Sequence, residues 1–256
     1  MEKKYEIGVV SVITPIFNAE NVIGKTLDSV FLQTYKNIEI VLVDDCSTDN
    51  SCKVIEDYKK KHPEIVYYRQ KTNRGAGAAR NKALELARGQ YVAFLDADDI
   101  WAPEKIEKQI SLLKEKNGAF SYTAIQMIDE QDNIVKTKRN VKEQLDYKFL
   151  LHNTMIATST VLIDRSVLGD FRMPLRRGGQ DYATWLMLLR DGTIAYGINE
   201  ALESYRVGNK NSLAANKTRS LKQIWEIQTQ DEKLNKVYVI FNLIRWCCNS
   251  VKKYWL

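Results

Sequence analysis

Apolar positions along the first hundred residues switch repeatedly between two periods. Gly8-Val9-Val10-Ser11-Val12-Ile13 is a strand-like run that ends at Thr14-Pro15, and Val22, Ile23, Leu27, Val30 and Phe31 then fall on one face of a helix. Ile38 to Val43 is apolar apart from Glu39, the pattern of a strand buried on both faces of a parallel sheet, and it stops at Asp44-Asp45-Cys46-Ser47-Thr48-Asp49. Val54, Ile55 and Tyr58 mark a second helix, Ile65 to Tyr68 a third strand, Ala76 to Arg88 a third helix and Tyr91 to Leu95 a fourth strand. This alternation predicts an α/β fold with a doubly wound, mostly parallel sheet. Ligands of such sheets bind beyond the carboxyl ends of the strands. The first, second and fourth strands end in Thr14/Asn18, Asp44-Asp45 and Asp96-Ala97-Asp98-Asp99, so these groups are expected on one rim.

The second half is mixed. A helix carrying Ile106, Ile110 and Leu113 follows Pro103, and Ala119 to Met127 then meets the polar turn Asp129-Glu130-Gln131-Asp132-Asn133, which reads as a hairpin. Thr158 to Ile163 is predicted as a strand, Tyr182 to Leu189 as a helix and Thr193 to Tyr205 as a strand. No internal repeat or low-complexity segment interrupts the pattern.

Composition narrows the class. A chain of 256 residues, 45% hydrophobic and 27% charged, has the makeup of a globular protein. Ile7 to Ile13 is too short for a signal peptide and lacks a small-residue cleavage site, and no run of eighteen apolar residues occurs, so a cytoplasmic location is expected. Cys46, Cys52, Cys247 and Cys248 suit neither a disulfide framework nor, with only His62 and His152, a zinc site; they read as reduced packing residues. Residues 204–256 hold ten Lys/Arg against three acids, so the first 203 residues carry about −1 of the +6 total. A neutral body with a basic tail suits an anionic surface or substrate rather than a nucleic-acid groove.

Three carboxylates directly after a buried strand repel one another unless a cation sits among them. Mg²⁺ or Mn²⁺ takes one or two protein carboxylates together with phosphate oxygens, which makes a diphosphate the natural co-ligand; a solvated acidic loop capping the next helix is the plainer alternative. Upstream, Gly75-Ala76-Gly77-Ala78-Ala79 imitates a dinucleotide fingerprint, but Arg80 replaces its third glycine and Arg69 to Arg74 intervene where a tight turn is needed. A helix N-terminus with Arg74 or Arg80 facing a diphosphate is the preferred reading.

Taken together, Ser11-Val12-Ile13-Thr14-Pro15-Ile16-Phe17-Asn18, Val43 to Asp49, Asn73-Arg74-Gly75 through Arg80-Asn81, and Phe94-Leu95-Asp96-Ala97-Asp98-Asp99 resemble the family 2 glycosyltransferases. The resemblance covers residues 8 to 103. It implies a GT-A fold, a nucleotide-sugar donor and an inverting mechanism of the hexosyltransferase class. It places Thr14, Pro15 and Asn18 around the nucleoside, Asp45 on the uracil edge, Arg80 near the diphosphate, Asp96 on the ribose or donor sugar and Asp98 on the metal, with Asp99 unassigned. Gly179-Gln180-Asp181 resembles the family's acidic motif before a helix, with Gln180 where glutamate is usual. Asp181 is the candidate catalytic base, and a helix N-cap is its alternative role. The implied domains are 1–205, a GT-A glycosyltransferase domain with a nucleotide-binding half (1–103) and an acceptor half (104–205), and 206–256, a basic amphipathic C-terminal helical extension.

Val237 to Trp246 and Val251 to Leu256 mix aromatic, aliphatic and basic residues. That composition suits a helix in a membrane interface, on the inner face of the cell membrane, or a helix packed on the domain or in a dimer. The leading expectation is a metal-dependent transfer from a UDP-sugar to a growing, lipid-linked bacterial surface glycan such as O-antigen, lipopolysaccharide core or capsule. A sugar-phosphate nucleotidyltransferase of related fold and a non-catalytic nucleotide- or membrane-binding protein are the other classes left open.

Overall fold

The computed structural model describes residues 5–176, 178–207 and 217–255. Along the chain lie β1 (Glu6–Ile16), α1 (Ile23–Phe31), β2 (Ile38–Asp44), α2 (Ser51–Lys61), β3 (Val66–Arg69), α3 (Ala76–Leu86), β4 (Gly89–Phe94), β5 (Ile100–Trp101), α4 (Lys105–Lys116), β6 (Phe120–Ile128) and β7 (Ile134–Arg139). There follow β8 (Gln144–Leu145), α5 (Tyr147–Leu150), β9 (Leu162–Asp164), α6 (Arg165–Leu168), α7 (Gln180–Leu189), β10 (Ala195–Arg206), α8 (Lys217–Glu226) and α9 (Lys236–Trp255). Of the tail cations, Lys210 and the side chains of Lys217, Lys252 and Lys253 lie outside the described residues, as does Leu256.

The sheet order is β3-β2-β1-β4-β9-β6-β10-β5, with β7 beside β6 and β8 beside β10. The β3-β2-β1-β4 portion is parallel, β9 runs antiparallel between β4 and β6, and β6 and β10 are again parallel. Strand periodicity sorts the core onto both faces of this sheet. Val10, Val12, Ile40 and Leu42 face α1, α2 and α4 through Leu27, Ile55 and Ile106, while Ile13, Val41 and Val43 face α3 and α7 through Ala79, Leu84 and Trp185. Trp185 is 1% exposed, with its ring edge-on to Phe94 and Phe120. Burial of that kind makes a Trp→Ala change cost about 3–5 kcal/mol.

Three expectations need correction. The strand expected to stop at Thr14-Pro15 continues through Ile16, with Pro15 opposite Val43. Ile13 bonds toward β4 and Ile16 toward β2, so the nitrogen of Pro15 points past the end of β4 at Phe94 and no ladder bond is lost. Thr158 to Ile163 is not one strand: Thr158–Thr160 forms a 3₁₀ turn, and pairing begins only at Leu162. Cys247 and Cys248 are exposed rather than packed, because α9 turns them away from the protein. Glu39, near the start of β2, is buried at the end of the strand away from the carboxyl rim. Burial alone would raise its pKa, but hydrogen bonds from Ser11, Arg88 and the backbone of Gly89 hold the carboxyl below its usual range.

Candidate active site

Strand register gathers the polar ends. Ile16 lies beside Asp44 and Ile13 beside Phe94, so the loops after β1, β2 and β4 open on the same rim. Thr14 is 1% exposed within β1, and Pro15 is half-buried. Asn18 adopts φ 51°, a conformation asparagine tolerates, and its Oδ1 accepts from the backbone nitrogen of Thr48 at 2.8 Å. Its own N–H donates to Ser47 Oγ at 3.0 Å, which ties the β1 loop to the β2 loop.

Asp45 is 2% exposed and organises the approach to α3. Its Oδ1 accepts from Gln70 Nε2 at 2.8 Å and Arg74 N at 2.7 Å, and its Oδ2 accepts from Gly75 N at 2.6 Å. Gly75 takes φ +86°, which favours glycine. A Cβ at Gly77 would stand 2.7 Å from the Gln180 amide, so this glycine leaves room for a side chain. Gly75 thus serves backbone conformation and Gly77 close packing, and the loop from Gln70 to Gly75 makes no tight dinucleotide turn.

Arg80 projects from α3 onto the acidic turn. Its guanidinium pairs with Asp96 Oδ1 at 2.5 Å, and its Nε is buried with no hydrogen-bond partner among the described residues. Burial works against the Arg80 charge, but Asp96, Asp181 and Asp99 outweigh it and raise the pKa, so Arg80 faces carboxylates from two separate parts of the chain. Asp96 N donates to Ser159 Oγ at 2.9 Å, and the same hydroxyl donates to Asp99 Oδ2 at 2.7 Å. Asp99 is 1% exposed; burial, then Glu203, raises its pKa well above the carboxylate range. Asp99 therefore supports the turn from beneath.

Beneath it lies a second buried layer. Glu203 of β10 is 1% exposed, and neither carboxylate oxygen has a hydrogen-bond partner among the described residues. Burial pushes its pKa up to about 7, against the attraction of Lys105. Lys105 is itself fully buried, donates to Gln109 Oε1 at 2.7 Å and lies 4.0 Å from the Trp101 ring centroid; burial lowers it to about 7. Arg206 closes the turn from the other side, its Nε donating to the Asp98 carbonyl at 3.0 Å.

Asp181 enters from α7. Gly179 occupies the N-cap at φ 68°, so the alternative cap role of Asp181 is not realised. Its Oδ2 instead accepts from Thr158 Oγ1 at 3.2 Å. The Thr158–Thr160 turn thus joins Asp181 to the Asp96–Asp99 turn through adjacent hydroxyls. Neither Ser159, Glu203 nor Arg206 was singled out from sequence. The available signal was Thr158-Ser159-Thr160, three consecutive hydroxyl residues in a stretch otherwise read as a buried strand.

The donor set at Asp98 fits a divalent cation. Its carboxylate accepts no hydrogen bond from another residue among those described, and burial, followed by Asp96, raises its pKa against the weaker opposing attraction of Arg206. No group of three or more His, Cys, Asp or Glu is placed to hold a metal among the described residues. One carboxylate completed by diphosphate oxygens and water is an ordinary Mg²⁺ arrangement.

The profile of "Glycosyl transferase family 2" matches residues 11–172. The chain is a family 2 glycosyltransferase. TuaG of Bacillus subtilis, named as a glycosyltransferase of teichuronic acid biosynthesis, is 41% identical to it over 96% of this chain and 97% of that one. WfgD of Escherichia coli, named a UDP-Glc:alpha-D-GlcNAc-diphosphoundecaprenol beta-1,3-glucosyltransferase, is 34% identical over 92% of each chain. Among solved structures, S. aureus TarS 1-349 in complex with UDP-GlcNAc aligns with 93% of this glycosyltransferase and 71% of that chain at TM-score 0.70 and 20% identity. The mannosyltransferase PcManGT from Pyrobaculum calidifontis, in complex with GDP-Man and Mn²⁺, aligns with 89% of this chain and 65% of that one at TM-score 0.68 and 20% identity. The fold is thus of the GT-A type. Among the described residues no helix is long and apolar enough to cross a membrane.

Proposed function

We propose that this glycosyltransferase inverts the anomeric centre of a UDP-sugar while transferring it to a lipid-linked bacterial surface glycan, with a divalent cation at Asp98. The observation carrying this reading is Arg80: a buried guanidinium between Asp96 and Asp181, its Nε without a partner. A donor diphosphate would supply that missing acceptor. Residues 1–103 would hold the nucleotide, 104–205 the acceptor, and 206–256 would be a basic helical extension.

Thr14, Pro15 and Asn18 line the nucleoside side of the rim. A carboxylate offers about four acceptor sites; three at Asp45 are engaged by the protein, which leaves capacity for the uracil N3–H. Asp96, aligned by Arg80, takes a ribose or sugar hydroxyl. Asp181 removes the proton of the acceptor hydroxyl as its oxygen bonds to the anomeric carbon and the bond to the diphosphate breaks. Arg80 stabilises the charge gathering on UDP. A cation bound at Asp98 supplies further charge neutralisation on that diphosphate.

The names of WfgD and the TarS complex support a UDP-sugar donor, and WfgD and TuaG support a bacterial envelope glycan as the product. A lipid-linked acceptor places the enzyme in the cytoplasm, peripherally on the inner face of the cell membrane. Thermal-shift measurement with UDP-, GDP- and dTDP-sugars, with and without Mn²⁺, tests the donor reading. It is expected to show stabilisation by a UDP-sugar that depends on Mn²⁺. A response confined to GDP-sugars would overturn the uracil assignment, and one indifferent to metal would overturn the role of Asp98.

A further inference from the structure

Helix α9 carries apolar residues on its outward face as well as on the face it packs against the protein. With successive residues turned by about 100°, its side chains separate into two faces. Val239 and Asn242 on one face are buried; Asn242 Nδ2 donates to Gln228 Oε1 at 2.9 Å, and Trp246 Nε1 donates to Thr154 Oγ1 at 3.2 Å. The opposite face carries Val237, Ile240, Phe241 and Ile244, which are 76, 50, 50 and 58% exposed. An outward helix face is normally polar, and a contiguous apolar stripe there marks an interaction site.

Charge identifies the occupant. Arg245 flanks the stripe with its guanidinium 5.0 Å from the Phe241 ring centroid, and Lys236 is exposed at the start of the helix. The sequence places Lys233, Lys236, Arg245, Lys252 and Lys253 in the last 24 residues and no Asp or Glu among them. Two such helices laid face to face would set cations against cations. An apolar stripe rimmed by cations complements acyl chains beneath anionic headgroups.

We propose that the outward face of α9 docks this enzyme on the surface of a membrane containing anionic lipid. The inference deepens the lipid-linked reading of the acceptor. Buried Gln228 connects α9 to the acceptor side: its Nε2 donates to the carbonyl of Leu151 and lies 3.0 Å from Tyr182 Oη, one residue from Asp181. A bilayer on the outward face of α9 would thus be separated from the element that carries the candidate base by this helix and its Gln228 contact.

The test uses the full chain, with phosphatidylcholine vesicles prepared with and without phosphatidylglycerol. The wild-type chain is expected to co-sediment with the anionic vesicles and to be released by added salt. Phe241→Glu/Ile244→Glu is expected to bind about tenfold or more weakly, with an unchanged melting temperature and unchanged UDP release from the donor. No sedimentation with anionic vesicles, or equal sedimentation of the variant, overturns the proposal. So does a dimer in velocity sedimentation that the double substitution dissociates, because the face then belongs to a second copy. UDP release needs no vesicle, so failure of the donor reading appears separately as absence of that release.

Discussion

Replacing Glu203 by Gln perturbs the layer beneath the acidic turn without changing its shape. Glu203 is 1% exposed, both carboxylate oxygens lack hydrogen-bond partners among the described residues, and burial raises its pKa from 4.5 to about 7. That difference corresponds to an upper limit of about 3 kcal/mol. The sign follows from a folded-state pKa above the unfolded value. The contribution of Glu203 is fully present below pH 4.5 and is lost as pH rises through about 7. Lys105 is lowered to about 7, so at pH 8 it offers Glu203 little compensating charge. Glu203→Gln should therefore match the wild type in stability at pH 5 and exceed it at pH 8. The gain should be about 1–3 kcal/mol, or roughly 3–10 °C in melting temperature for a chain of this size. Urea and thermal denaturation of both proteins at the two pH values measure it. A variant with the wild-type pH dependence, or one less stable at pH 8, would refute the reasoning.

Asp181→Asn should retain Mn²⁺-dependent UDP binding and lose about 10²–10⁴-fold in turnover; near-normal turnover in a transfer assay removes Asp181 as the base. Ser159→Ala strands the Asp96 N–H and deprives buried Asp99 of a donor. It should cost about 2–4 kcal/mol in urea denaturation and raise the KM for donor; an unchanged KM would separate this hydroxyl from the site. Gly77→Ala trades about 1 kcal/mol of helix propensity against a contact 2.7 Å from the Gln180 amide. It should stabilise the protein in a Gln180→Ala background and fail to do so in the wild type, and equal effects in both backgrounds would exclude the contact.

The first half of the chain was legible because parallel strands buried on both faces are continuous apolar runs that end abruptly in polar residues. Asp44-Asp45 and Asp96 to Asp99 needed no tertiary information to be placed on one rim. Pro15 misled because a missing N–H bars a residue from a ladder only where a partner waits, and β4 has already ended there. Thr158 to Thr160 misled because apolar flanks hid a turn whose hydroxyls serve the acidic loop from sixty residues away. Glu203 and Lys105 were unreadable for a related reason. A charge inside an amphipathic pattern looks solvated until the packing of β10, β5 and α4 buries it. The amphipathic tail was recognised, but which of its faces meets the protein depended on Gln228 and Thr154, to which Asn242 and Trp246 bond.

The most direct test of the proposed reaction is the configuration of its product. A UDP-sugar of defined anomeric configuration, Mn²⁺ and a diphospholipid-linked saccharide acceptor are incubated with the enzyme, and the new glycosidic linkage is assigned by NMR. A single displacement between Arg80 and Asp181 predicts release of UDP and a linkage of inverted configuration. A product of retained configuration would contradict it.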